Sequence, residues 1–252
     1  MSTTFSVSNE QEHAEGIAAA KAALADKRCI VLPTDTVYGI GADAFSAQGV
    51  AMLLAAKGRN RTMPPPVLIA QSSTMDGLAR DIPEAARKLA EAFWPGGLTL
   101  ILQAQPSLTW DLGETRGTVA LRVPNDDTAL ELLGQTGPLA VSSANRTGMQ
   151  AAATAAEAFE QLGESVEVYL EAGRRPVAGE ALSSTIVDCT LNPPRVVREG
   201  ALGLDALRVV VPGLLGLGEE PTATATAAEA AGAPGSGSDG EARGASEPAT
   251  DS

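Results

Sequence analysis

CIVLPTDTVYGIGADA, residues 29–44, sets an apolar run directly against a turn rich in hydroxyl side chains. Cys29, Ile30, Val31 and Leu32 form a short continuous apolar segment that reads as a buried strand, and PTDTVYG follows without a spacer. The arrangement recurs at LAV (139–141), with SSANRTG immediately behind it. Further apolar runs stand at VLIA (67–70), LTLIL (98–102), VALRV (119–123), VEVYL (166–170), STIVD (184–188) and RVV (195–197). Between them, helical spacing marks Ala14, Ile17 and Leu24, then Val50, Leu53 and Leu54, then Ala86, Leu89, Ala90 and Phe93. Short runs alternating with helices predict an α/β domain with a mixed, mostly parallel sheet, whose strand order the pattern does not give.

Composition narrows the function. The 252 residues are 44% hydrophobic and 19% charged, with a net charge of −13 and only 3% aromatic residues. An acidic excess of this size argues against stable binding of duplex nucleic acid through a broad basic face. Cys29 and Cys189 lack a CxxC partner and His13 is the single histidine, which removes disulfide scaffolds and Cys/His zinc sites. No run approaches the roughly eighteen apolar residues of a spanning helix, and the polar N-terminus does not resemble a signal peptide, so the chain reads as cytoplasmic with no membrane contact. From Gly218 onward there is no Val, Leu, Ile, Met or aromatic residue, and seven acids face one Arg. We therefore expect one folded domain over 1–217 and a disordered acidic tail rich in Ala, Gly, Pro and Ser over 218–252, acting as a solvating extension or a partner-binding arm.

Hydroxyl-rich turns at the carboxyl ends of strands are where open α/β sheets hold ligands, although Thr and Ser also cap helices there. A third segment, AAKGRNRTMPPPVLIA (55–70), places Lys57, Arg59 and Arg61 within five residues. Lys57 lies seven residues after Val50 and so continues the apolar face of its helix. This cluster is either a solvated helix end or an anion site in which Lys and Arg neutralise phosphate. In VALRV, strand alternation sets Val119, Leu121 and Val123 on one face and Thr118, Ala120 and Arg122 on the other, where a buried charge needs a partner. Arg195 and Arg198 flank a last strand before a Gly turn. For these arginines a structural ion pair and a ligand contact both remain open.

Generic phosphate motifs fail. Residues 39–44, GIGADA, fit G-x-G-x-x-A, but Asp43 would aim a carboxylate at the pyrophosphate, and no acid stands about twenty residues further on. Neither a P-loop nor GxSxG occurs, and the lack of a histidine past His13 argues against a Ser-His-Asp hydrolase.

Taken together, LPTDTVYGIGADA, KGR with its Pro-rich sequel, FWPGGLTLIL, ALRVP, AVSSANRTG, SSTIVD and VVREG occur in that order across residues 28–204. This resembles the YrdC-like threonylcarbamoyl-AMP synthase family in its short, single-domain form. The resemblance implies a three-layer YrdC/RibB-like α/β domain with a twisted sheet and a concave ligand cleft. It implies formation of threonylcarbamoyl-AMP and pyrophosphate from L-threonine, bicarbonate or carbon dioxide, and ATP. The adenylate would then serve tRNA threonylcarbamoyl transferase proteins that modify the adenosine beside the anticodon. Carried over by motif, Thr36, Arg122, Ser183 and Thr185 would meet threonine. Lys57 and Arg59 would act on the phosphates and the carboxylate formed on threonine, while Ser143, Asn145, Thr147 and Arg198 would line the nucleotide cleft. The sequence departs from the family at Asn60 and Met63, where Pro and a Lys or Asn are common, and at Gly97, where Pro is frequent.

Chemistry of this kind needs positioning and charge neutralisation instead of a histidine base, so His13 is expected to be a bystander. Mg²⁺ would be held mainly by the ATP phosphates, and no protein ligand for it can be named. Two other readings stand beside the synthase: a non-catalytic YrdC-like RNA-binding module for ribosome maturation, and a carbamoyl-adenylate-forming enzyme with another acceptor. Scarce aromatics and the acidic body speak against the first.

Overall fold

A computed structural model of the chain describes residues 1–221, so the expected tail lies outside the described residues apart from its first four. In chain order the elements are β1 (Thr3–Ser6), α1 (Glu10–Ala25), β2 (Ile30–Leu32), β3 (Gly39–Asp43), α2 (Ala47–Lys57), β4 (Val67–Leu68), α3 (Met75–Leu78), β5 (Ala79–Arg80) and α4 (Glu84–Phe93). They continue with β6 (Leu98–Ala104), β7 (Thr118–Arg122), α5 (Asp127–Thr136), β8 (Leu139–Ser143), α6 (Ala155–Leu162), β9 (Val168–Glu171), β10 (Thr185–Asp188), β11 (Arg195–Arg198) and α7 (Leu204–Val210). All eight apolar runs appear as strands.

One sheet runs β1-β9-β2-β3-β8-β4-β7-β6-β10-β11, with β5 pairing β6 off this path. The α/β class and the mixed sheet are as expected. Parallel pairing is confined to β1 with β9, β2 with β9, β4 with β7 and β6 with β10, and the other six pairings are antiparallel. The balance shifts because the turn after CIVL does not lead into a helix. It returns the chain as β3, so that Leu32 pairs with Gly39. Glycine is required at that point: a Cβ on Gly39 would stand 2.6 Å from Val141 Cγ1 on β8.

Strand alternation builds two cores. Val31, Ile40, Val67, Ala140 and Tyr169 point to one face, with Val50, Leu53 and Leu54 of α2, Leu89 of α4 and Ala158 of α6. Ile30, Leu32, Leu68, Leu139 and Leu170 point to the other, under Ile17 and Leu24 of α1 and Leu132 and Leu133 of α5. This second core contains no residue of β6, β7, β10 or β11. Leu98, Leu100, Leu102, Val119 and Leu121 still pack into the first core, so half of the sheet is covered on one face only. The third layer therefore stops partway, and the bare face of β6, β7 and β10 becomes the floor of a cleft.

Local chemistry fixes the helix that borders it. Ser46 caps α2 by accepting from Gly49 N at 3.1 Å, and Gly58 ends it in the left-handed region at φ 61°. Gly58 N donates to Ala55 O and Arg59 N to Leu54 O, the paired bonds of a Schellman motif. This stop leaves Lys57 on the last turn of the helix and puts Arg59 outside it, so the two side chains leave from different local structure. The folded unit extends to Glu219, two residues past the expected boundary, because Glu219 pairs with Arg208 and accepts from Gly216 N at 2.8 Å.

Candidate active site

The bare sheet face floors a cavity of about 350 Å³. Thr118, Ala120 and Arg122 of β7, Ile101 of β6 and Ile186 of β10 line it from below. Thr34, Thr36 and Tyr38 come from the β2–β3 turn, Ser142 and Ser143 from the end of β8, Ser183 and Ser184 from the approach to β10, and Arg59 and Arg198 from the sides.

Three guanidiniums meet here and are satisfied in two different ways. Arg122, 6% exposed, donates from Nη2 to Asp35 Oδ1 at 2.6 Å and from Nε to Gly96 O at 2.9 Å. Arg59 donates from Nη1 to Ser142 Oγ at 2.9 Å, and its buried Nε has no partner. Arg198 donates to Ser184 O at 3.0 and 2.7 Å and to Ser184 Oγ at 3.0 Å. Thr99 holds Ser184 from below through a hydroxyl contact of 2.8 Å. Among the described residues only Arg122 of the three forms an ion pair. Burial pushes the pKa of both Arg59 and Arg198 down, and for Arg198 the nearby charges of Arg122 and Arg59 push the same way. Two uncompensated cations facing one cavity have the charge and shape to hold an anion.

Of the expected residues, Thr36, Arg59, Arg122, Ser143, Ser183 and Arg198 line this cavity. Four do not. Lys57, 3% exposed, reaches behind the β8 end and donates to Asn145 O at 2.6 Å and to Ser143 O. Burial, reinforced by the charge of Arg59, pushes its pKa down to about 8. Asn145 is turned into its own loop, with Nδ2 donating to Arg146 O and Met149 O at 2.8 Å each, while its buried Oδ1 has no partner. Thr147 is exposed, and its main-chain N–H donates to Lys57 O at 2.9 Å. Thr185 is buried in a structural exchange, its Oγ1 donating to Leu202 O at 2.7 Å and accepting from Leu202 N at 2.9 Å. Lys57 and the SSAN loop thus form a support behind the cavity wall.

Sequence reasoning did not single out Asp35, Ser142 or Ser184. The alternation in VALRV shows that Arg122 needs a partner, but pattern alone cannot say that the partner sits 87 residues away in the TDT turn. Met63 lines the cavity and is 41% exposed, placing a thioether where the family commonly has an amine or amide. His13 lies elsewhere, with Nε2 2.6 Å from Glu131 Oε2 and Nδ1 3.2 Å from Val7 O. It borders a second cavity of about 690 Å³ together with Asp35, Asp126 and Arg175. Among the described residues no cluster of three or more His, Cys, Asp or Glu side chains is placed to hold a metal ion.

Known proteins share much of this sequence and this fold. Residues 22–200 match the Sua5/YciO/YrdC family, described as "Telomere recombination". A Mycobacterium leprae protein provisionally named threonylcarbamoyl-AMP synthase is 50% identical over 211 residues, covering 84% of this chain and 94% of its own. The threonylcarbamoyl-AMP synthase of Bacillus subtilis is 34% identical over 197 residues, covering 77% of this chain and 56% of its own. The crystal structure of Pyrococcus abyssi Sua5 complexed with L-threonine superposes with a TM-score of 0.77 at 30% identity, covering 86% of this chain and 62% of that one. In sequence and in fold, the chain belongs to the Sua5/YciO/YrdC family.

Proposed function

We propose that this chain is an L-threonylcarbamoyladenylate synthase. The observation that carries the reading is the pair of uncompensated arginines, Arg59 and Arg198, facing the same cavity as the ion-paired Arg122 and the hydroxyls of Thr36, Ser143 and Ser183. That combination fits a polyanion and a small polar zwitterion side by side.

The threonine amine takes up bicarbonate with loss of water to give a carbamate. A carbamate oxygen then attacks the α-phosphorus of ATP, the bond to the bridging oxygen breaks, and pyrophosphate leaves. Such a displacement depends on alignment and on neutralising charge on the phosphoryl oxygens. Arg59 and Arg198 supply that charge with planar forks, and Arg122 orients the threonine carboxylate. Lys57 holds the carbonyls of Ser143 and Asn145, and with them the β8 end, in place while adding positive charge behind the wall. The cavity residues include no carboxylate, which fits a magnesium ion that arrives on the nucleotide instead of in a protein cage. When bound, the ion supplies further neutralisation of the triphosphate.

The adenylate serves a separate transferase that modifies the adenosine beside the tRNA anticodon, and we place the reaction in the cytoplasm. No helix among the described residues is long and apolar enough to cross a membrane. The test is pyrophosphate release by purified protein with ATP, bicarbonate and magnesium, with and without L-threonine, beside Arg59→Ala. Threonine-dependent release that the variant loses is the expected result. Release that follows another amino acid better than threonine would move the reading to a different acceptor. No release from folded protein with any amino acid would favour the RNA-binding module.

A further inference from the structure

One ion pair links the two cavities. Asp35 lines the second cavity, while its Oδ1 accepts from Arg122 Nη2 at 2.6 Å and from the main-chain N of Asn125 at 2.9 Å. Arg122 in turn borders the first cavity only. Its Nε is occupied by Gly96 O at 2.9 Å. A guanidinium carries five N–H donors in one rigid plane. With Nε and one Nη2 hydrogen committed and 94% of the residue out of solvent, that plane has a single orientation, and the donors left over are those it offers to the cavity.

The ion pair also changes what Arg122 attracts. Arg59 and Arg198 present a full positive charge, held only by hydroxyl and carbonyl groups. Arg122 presents donors of the same shape but with its charge cancelled by Asp35. A triphosphate is drawn to bare charge, whereas an amino acid zwitterion, with no net charge, loses little by docking on a neutral pair. The neighbouring hydroxyls suit the zwitterion's other end. Thr34 Oγ1 donates its one proton to Val37 O at 2.6 Å and accepts from the main-chain N–H of Thr36 at 3.2 Å and of Val37 at 3.3 Å, so its hydrogen-bonding capacity is used within the turn. Thr36 Oγ1, 3.1 Å from Thr34 Oγ1, therefore keeps lone pairs for the cavity, which accept from an ammonium or a hydroxyl. The turn 34–36 thus joins an acceptor for an amine, on Thr36, to Asp35, the carboxylate that fixes the Arg122 fork.

We propose that Asp35 is a positioning and specificity residue: by pairing with Arg122 it fixes that guanidinium for an amino acid carboxylate and withholds it from the triphosphate, which is left to Arg59 and Arg198. This rests on the synthase reading above. The test is Asp35→Asn, which keeps the size and an oxygen for the Asn125 N–H but removes the charge. In steady-state pyrophosphate release, KM for threonine should rise about tenfold or more, the loss of a charge-assisted bond, while KM for ATP changes less than about threefold. Inorganic phosphate, competitive against ATP alone in the wild type, should become competitive against threonine in the variant, because Arg122 is then a bare cation. A loss of packing alone does not create that inhibition.

An unchanged KM for threonine overturns the proposal, as does an equal rise in both KM values. If the variant does not fold, the wild-type measurement decides: phosphate competing with ATP and not with threonine supports the division of the three arginines, and phosphate competing with threonine overturns it. A wild-type protein without threonine-dependent release would instead remove the synthase reading, which separates the two failures.

Discussion

Lys57 shows how burial converts a common residue into one with a pH-dependent role. Its ammonium donates to two main-chain carbonyls behind the cavity wall, and burial together with Arg59 brings its pKa to about 8. Below that value the ammonium is charged and braces the β8 end; above it a donor and a charge are lost. We expect kcat/KM for ATP, measured at saturating threonine, to fall as pH rises through about 8, and Lys57→Arg to remove that limb. Stability should move the other way. The unfolded lysine keeps its proton to roughly pH 10.4, so between the two values the folded state has released a proton that the unfolded chain retains, and folding gains with pH. Denaturant melts of wild type and Lys57→Met at pH 7 and 9.5 would read this, and a wild type that gains nothing relative to the variant would refute it. For the two bare arginines, Arg59→Ala or Arg198→Ala should each raise KM for ATP about tenfold or more and leave KM for threonine within about threefold. Lysine at position 59 should not restore it, since a point charge lacks the fork. Equal effects on both substrates in the kinetics would break the assignment.

At the scale of elements, the turn from β11 back to Ser183 is the tightest place in the site. A Cβ on Gly200 would stand 2.1 Å from Ser183 O and 2.8 Å from Ser184 O, main-chain atoms that cannot rotate away. Gly200→Ala should cost about 1–3 kcal/mol by overpacking, lower the melting temperature, and raise KM for ATP because Arg198 is anchored on Ser184. Gly134→Ala, inside α5 with nothing within 4 Å of its Cβ position, should instead stabilise by roughly 0.5–1 kcal/mol. Thermal melts of the two variants moving in the same direction would contradict this reading. The elements themselves were legible to different depths. Continuous apolar runs such as LTLIL announce β6, since buried strands need no polar alternation. GIGAD did not announce β3, because its glycines carry no apolar signal and are there to let Val141 approach. TTFS of β1 is a partly exposed edge strand and lacks the run as well. The order of strands depends on long-range pairing, which no local pattern encodes. At the site, the strand period exposed Arg122 and the helix period exposed Lys57, whereas Asp35, Ser142 and Ser184 become functional only through partners on distant elements.

At the scale of the molecule, a chain of net −13 places two arginines without an ion pair, Arg59 and Arg198, in one cavity. A long polyanion meets a chain of net negative charge, while a nucleotide small enough for about 350 Å³ meets Arg59 and Arg198. Binding to the folded state alone then stabilises the whole domain by mass action, by about 2.7 kcal/mol at a hundredfold excess over Kd. For a domain of this size each kcal/mol is worth roughly 2–4 °C. A melt with saturating ATP and magnesium should therefore rise by about 5–10 °C, and a duplex RNA at the same salt should produce no shift. In the Arg59→Ala/Arg198→Ala double variant the ATP shift should vanish while the shift given by threonine persists, since Arg122 and Thr36 are untouched. If RNA shifted the melt and ATP did not, the cavity would not be what this charge pattern is built around, and the basis for a synthase would fail at the level of the whole molecule.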